Sequence, residues 1–221
     1  MSSVASSVAE DREETARLEA FSDGVFAIAI TLLVLELRAP EGHDGLWQGL
    51  LDEWPQFAAY VTSFFIIGIM WVNHHSMFRQ IVRADRAVLF FNLLLLLWTA
   101  LLPFPTALIS RYLGEGGRDA SVAEAAYSAN LTLAAIAFSL IWLHAVRGGR
   151  LIRQPLGRRE EWRSIARFSV GTFIYAATIG LAFVSAGLAL AVQFLLAVYY
   201  LFEQVRPGGS VRDSPASGGQ P

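Results

Sequence analysis

Four polar residues stand where an apolar chain leaves little room for them. Asp23 lies inside an apolar run from about Leu18 to Leu37, His74 and His75 follow a second run from Phe57 to Val72, and Asn92 sits within a third from Ala87 to Leu102. A carboxylate inside a hydrophobic span needs a partner, and an imidazole titrates near neutrality. Two chemistries follow: an interhelical hydrogen-bond and charge network, or a proton relay. Metal ligation is not expected, because adjacent residues on a helix point about 100° apart and the two histidines lack the H-x-x-x-H spacing that aims two ligands at one ion. Ser22 beside Asp23 becomes a nucleophile only if a histidine reaches its hydroxyl.

The elements that carry these residues are read from composition. Of 221 residues, 54% are hydrophobic and only 16% charged, too apolar for a soluble surface of this size. The chain is expected to be an all-α integral membrane protein. Further apolar runs cover Ala125 to Leu143 and Phe168 to Phe202. The last is uncharged and, at roughly 50 Å as one helix, exceeds a hydrocarbon core of about 30 Å, so it should fold as two helices turning at Ser185-Ala186-Gly187. This gives six spans. No cysteine is present, which excludes disulfides, Cys-bound zinc, iron–sulfur clusters and thiol catalysis. A net charge of −2 offers no general attraction to nucleic acid.

Segment 1–16 is polar and acidic, without the basic and apolar regions of a cleaved signal peptide, so the first apolar run is expected to be retained. Residues 17–206 form the six-helix domain, and the Pro-, Gly- and Ser-rich tail 207–221 is expected to be disordered. All seventeen basic residues are arginine, a skew that suggests a GC-rich bacterial source. With the first terminus cytoplasmic, fourteen arginines fall inside: Arg12 and Arg17, Arg79, Arg83 and Arg86, seven from Arg147 to Arg167, then Arg206 and Arg212. Only Arg38, Arg111 and Arg118 fall outside, beside acids such as Glu41, Asp44, Asp52 and Glu53, which puts both termini in the cytoplasm.

Depth brings the polar residues together. Asp23 and Asn92 each lie about 7 Å into the core from the inner boundary, and Asn73, His74 and His75 end the descending second helix at the same level. Helices one, two and three should therefore share a network, with Arg17 contributing from below. Arg17 and Asp23 are about 120° apart on their helix and form no intrahelical pair. Taken alone, His74 and His75 also suit interfacial snorkelling beside Arg79. Above Asp23, spacings of four and three place Ile28, Leu32 and Leu35 on one face with Thr31 at its edge. Such a stripe suits lipid contact or ordinary packing; around a symmetry axis it would form stacked apolar constrictions.

Arg17 to Asp23 has the form R-x-x-x-F-S-D, and with Gly24 to Leu33, Trp71-Val72-Asn73-His74-His75, Asn92 and Pro103-Phe104-Pro105 it resembles the prokaryotic relatives of the endolysosomal potassium channel known as transmembrane protein 175. The resemblance covers roughly residues 12 to 110. It implies a potassium-selective, leak-like cation channel, a homotetramer in the bacterial inner membrane whose first helices line a central pore, with potassium as the permeant ion and no cofactor. Ile28 would form the principal constriction, Leu32 and Leu35 would stack above it, and Thr31 would add hydroxyls. Arg17, Phe21, Ser22 and Asp23 would hold the helix against Trp71, His74, His75 and Asn92. Outer acids such as Glu36 would concentrate cations at the mouth. The alternatives are a proton-coupled carrier or a proton-permeable channel using Asp23 with His74 or His75; a carrier often shows repeated halves, and the sequence shows no convincing internal repeat.

Overall fold

Apolar runs become helices because a bilayer offers the backbone no other hydrogen-bond partner. The computed structural model describes residues 2–40, 45–147, 149, 151–154 and 157–205. Arg150, Arg206, Arg212, Glu41, Asp44 and the tail 207–221 lie outside the described residues. Helix α1 spans Ser2–Leu32 and tightens into a 3₁₀ turn at Leu33–Glu36; α2 is Leu46–Asp52, α3 Trp54–Phe78, α4 Arg86–Leu101, α5 Pro103–Tyr112, α6 Gly117–Val146, α7 Arg158–Ala182 and α8 Ala186–Val205. Among the described residues, five stretches are long and apolar enough to cross a membrane: Arg12–Glu36, Trp54–Phe78, Arg86–Tyr112, Gly117–Val146 and Arg158–Ala182. Ala186–Tyr200 is a shorter apolar helix.

Two elements extend the sequence expectation and a third differs from it. Residues 2–16 continue α1 without a break, as Ala, Glu and Arg are strong helix formers. The third span is two helices, because Pro103 has no N–H to give; the Leu102 N–H turns instead to Thr99 O at 3.2 Å, and the Thr106 hydroxyl covers Leu102 O at 2.8 Å. The final turn falls at Phe183 to Ser185, slightly before the expected Ser185-Ala186-Gly187, and the Ser185 hydroxyl accepts from Leu188 N–H at 3.3 Å to cap α8.

Helix α6 is the hub, burying Tyr127, Leu131, Ile141 and Trp142 against its neighbours. The loops after α3 and α6 meet on one side, where Ile81 and Ile152 form an antiparallel bridge flanked by Val82 N–H to Leu151 O and Arg153 N–H to Gln80 O, each 2.8 Å. Asp85 starts α4 there, accepting from Ala87 and Val88 N–H at 3.1 and 2.9 Å, while its second oxygen takes His144 Nε2–H at 2.8 Å. Desolvation raises its pKa, but the His144 and backbone hydrogen bonds outweigh that and leave it below the ordinary carboxylate value.

Candidate functional site

Helix α1 has two faces. Ser22, Phe26, Ala29 and Leu33 recur at steps of four, three and four, and all are buried against α3 and α4. Ile28 lies about 200° round from Phe26. It is 61% exposed, Leu32 is 41% and Leu35 72%, and Thr31 is exposed between them. The apolar stripe therefore faces away from the chain's own core. The Thr31 hydroxyl turns its hydrogen back onto the helix, 3.0 Å from Ala27 O and 2.9 Å from Ile28 O, which leaves oxygen lone pairs on the outer side.

The motif residues gather at the expected level, but in two clusters rather than one. In the buried cluster, His74 Nε2 is 2.9 Å from Asn92 Oδ1, Asn92 Nδ2 donates to Ser22 Oγ at 2.9 Å, and Ser22 Oγ donates to Leu18 O at 2.8 Å. Because Asn92 Oδ1 can only accept, His74 carries its hydrogen on Nε2. Its ring is stacked on Phe78 at 4.2 Å and tilted toward Phe26 at 5.4 Å, and His74 Nδ1 has no hydrogen-bond partner among the described residues. Protonation would place an unpaired N–H in an aromatic cage. His74 is wholly buried, so the snorkelling reading fails for it; the His75 side chain is 47% exposed.

In the second cluster, Trp71 Nε1 donates to Asp23 Oδ1 at 2.9 Å, and His75 Nδ1 lies 2.7 Å from Glu19 Oε1, with the Trp71 and His75 rings stacked. Descending four residues on α1 from Asp23 to Glu19 ascends four on α3 from Trp71 to His75, one helical turn on each, as antiparallel packing requires. Ser22 and Asp23 point about 100° apart, as do His74 and His75, so each doublet must serve two clusters. Glu19 was absent from the sequence reading, although its i, i+4 relation to Asp23 mirrors that of Trp71 to His75.

Phe21 is 56% exposed and Arg17 is exposed, so within one chain Ser22 and Asp23 do the anchoring and the other two motif residues project outward. The Ser22 hydroxyl meets Asn92, not histidine, and no nucleophile pair forms. At the outer end, Glu36 shares a pocket of about 420 Å³ with Glu53, Arg38 and Arg111. Gln56 accepts from Arg38 N–H at 2.7 Å and donates to Arg38 O and Glu53 Oε2, both 3.1 Å. The two arginines offset the two acids, which weakens Glu36 as a cation-concentrating group.

Two further polar clusters tie the remaining helices. Thr106 gives its hydrogen to Leu102 O, so Ser63 donates to Thr106 Oγ1 at 2.8 Å and accepts from the Tyr127 hydroxyl at 2.9 Å, joining α3, α5 and α6. Glu124, Ser128, Thr178 and Gln193 form the other, joining α6, α7 and α8. The sequence reading began the fourth span at Ala125, one residue past Glu124, and so left the carboxylate outside; the i, i+4 pairing with Ser128 was the available signal.

The family model described as the endosomal/lysosomal potassium channel TMEM175 matches residues 17–103. A protein named as a potassium channel in Streptomyces collinus is 50% identical over 194 residues, covering 87% of this chain and 94% of that one. The crystal structure of a lysosomal potassium-selective channel TMEM175 homolog from Chamaesiphon minutus superposes with a TM-score of 0.76 at 40% identity, covering 87% of this chain and 99% of that one. The human endosomal/lysosomal proton channel TMEM175 is 30% identical over 205 residues, 86% of this chain but 39% of the human protein.

Proposed function

The chain belongs to the TMEM175 family, and from that premise we propose that it is a potassium-selective, leak-like cation channel rather than an enzyme. It is a multi-pass membrane protein. In this reading it sits in the bacterial inner membrane with both termini cytoplasmic, where the arginine bias directs it. Four copies assemble with α1 around a common axis, and Ile28 makes the narrowest ring with Leu32 and Leu35 above it.

The observation that carries the reading is the outward face of α1. An apolar stripe excluded from its own core, on a helix whose opposite face is fixed by buried hydrogen bonds, suits a surface completed by other copies. An apolar ring discriminates by dehydration. A cation entering it gives up water without receiving ligands, and potassium, with its lower charge density, holds its shell less tightly than sodium. Thr31, its hydrogen already committed to the helix, offers only oxygen to a passing cation. The human relative's name raises proton permeation as a second reading. The single-tautomer geometry of His74, whose Nδ1 has no hydrogen-bond partner among the described residues, opposes a relay through that residue.

The test is passive flux. Purified protein in potassium-loaded vesicles should dissipate a potassium gradient without saturating and without a proton gradient; folded oligomer that passes no potassium would overturn the proposal. Reversal potentials measured across a pH gradient separate potassium from proton conduction.

A further inference from the structure

A carboxylate lies buried at a distance from the motif residues and takes no part in the proposed pore. Glu124 is wholly buried, seven residues and about 10 Å along α6 from its first turn. No cation among the described residues pairs with it. It faces Gln193 of α8 and Ser128 of its own helix, with Thr178 of α7 closing the group; the titratable neighbour on α6 is the Tyr127 phenol.

The hydrogens in this cluster can be counted. Ser128 gives its one hydrogen to Glu124 Oε1 at 3.1 Å, and Thr178 bonds Tyr175 O at 2.7 Å. Gln193 spends both amide hydrogens, on Ser128 Oγ at 2.8 Å and Thr178 Oγ1 at 3.1 Å. Two buried acceptors are left without a donor, Glu124 Oε2 and Gln193 Oε1. Reversing the amide supplies donors but not a counter-charge. It would turn Nε2–H toward Glu124 Oε2 and leave Gln193 Oε1 to the Thr178 hydroxyl, closing the hydrogen bonds around an ionised carboxylate that still has no cation among the described residues in an apolar interior.

We propose that Glu124 is a proton-binding site: the carboxyl is held as the neutral acid, and its O–H on Oε2 is donated to Gln193 Oε1. One hydrogen then satisfies both orphaned oxygens, and the cost of an unpaired charge in an apolar interior is removed. The bound proton is the tie between α6 and α8, a role remote from α1 and independent of ion conduction.

The test is infrared spectroscopy of the full chain reconstituted in lipid at neutral pH. A protonated-carboxyl C=O band should be present in the wild type and lost in E124Q, which keeps wild-type potassium flux. In Q193L the band should persist and move to higher frequency, because the acid has lost its acceptor. Should E124Q fail to fold, glutamate-labelled wild type compared with labelled Q193L reads the same band. No band lost in E124Q, a band unmoved in Q193L, or a band abolished by adding sodium or potassium salt would each overturn the proposal, the last by showing a metal cation in place of the proton.

Discussion

The buried His74–Asn92–Ser22 chain makes a quantitative demand on a double-mutant cycle. Replacing Asn92 by Leu keeps most of the side-chain volume but removes the acceptor of His74 Nε2–H and the donor to Ser22 Oγ. Ser22 retains Leu18 O at 2.8 Å, so its loss is small. His74 has no such substitute: its N–H is left unsatisfied in a ring cage formed by Phe78 and Phe26, at about 1–3 kcal/mol. Interhelical hydrogen bonds in membranes average only about 0.6 kcal/mol because the unfolded chain in the membrane also finds partners, so the expected loss for N92L lies toward the lower end of that range, about 1–1.5 kcal/mol. His74→Phe keeps the aromatic stacking but strands Asn92 Oδ1, at about 1–2 kcal/mol. In H74F/N92L both partners are apolar and neither is stranded. The double variant should therefore be at least about 1 kcal/mol more stable than the two single losses summed. Thermal unfolding in detergent, read by fluorescence-detected size exclusion, measures all four corners. Strict additivity would refute the assignment of this chain as a coupled unit.

Other outcomes follow from neighbouring groups. I28N should hydrate the constriction and lower the potassium-to-sodium permeability ratio severalfold in bi-ionic reversal measurements; an unchanged ratio removes Ile28 from the gate. D23N should fold and conduct, since an amide oxygen still accepts Trp71 Nε1–H, whereas D23L should lose about 1–2 kcal/mol; a folded D23N that passes no potassium would show that the charge itself is needed. T31V, at an exposed site, should leave stability within about 0.5 kcal/mol yet change single-channel conductance, and equal conductance would place Thr31 away from the ion. D85A should destabilise by about 1 kcal/mol through loss of the α4 cap. Because Asp85 has a lowered pKa in the fold, its contribution is present at neutral pH and is lost only as the pH falls through that depressed value, below the usual carboxylate range. An advantage over D85A that already fades near pH 6 would contradict the lowered value.

Hydropathy made the spans legible because a bilayer imposes helices on any long apolar run, and depth alone was enough to bring Asp23, His74, His75 and Asn92 to one level, while Ser22 and Trp71 came with the family resemblance. What it did not reveal was azimuth. A level is a one-dimensional quantity, and whether Ser22 or Asp23 meets Asn92 depends on a rotation of about 100°. The division into two clusters, and the place of Glu19 in the second, appeared only with the helices packed. Glu124 was missed for a different reason. Its carboxyl interrupts the apolar count, so a hydropathy boundary lands just beyond it, although Ser128, Thr178 and Gln193 make it an interior residue. The third run was read as ending at Leu102, next to where α4 stops; what hydropathy did not show is that two threonine hydroxyls and a 3₁₀-type bond carry the chain past Pro103 into α5 as one apolar stretch.

The same rotational reasoning explains why a pore-lining helix would carry a polar motif away from the pore. Leucine and isoleucine stripes are chemically similar to lipid, so apolar packing alone sets the azimuth of α1 weakly. Directional bonds set it strongly. Asp23 to Trp71 and Ser22 to Asn92 attach α1 to two different helices at one level, α3 and α4, and two attachments about 100° apart permit one orientation. Phe26, Ala29 and Leu33 then continue the anchored face upward, which turns Ile28 and Leu35 outward. A rotation by one residue would carry Ile28 to the buried face and present Ala27 in its place, or, in the other sense, present Ala29. The motif therefore acts at a distance of about one and a half turns, fixing which side chains α1 turns away from the chain's own core. Loss of either attachment should broaden ion selectivity before it abolishes folding, since the helix retains its apolar contacts but not its angle.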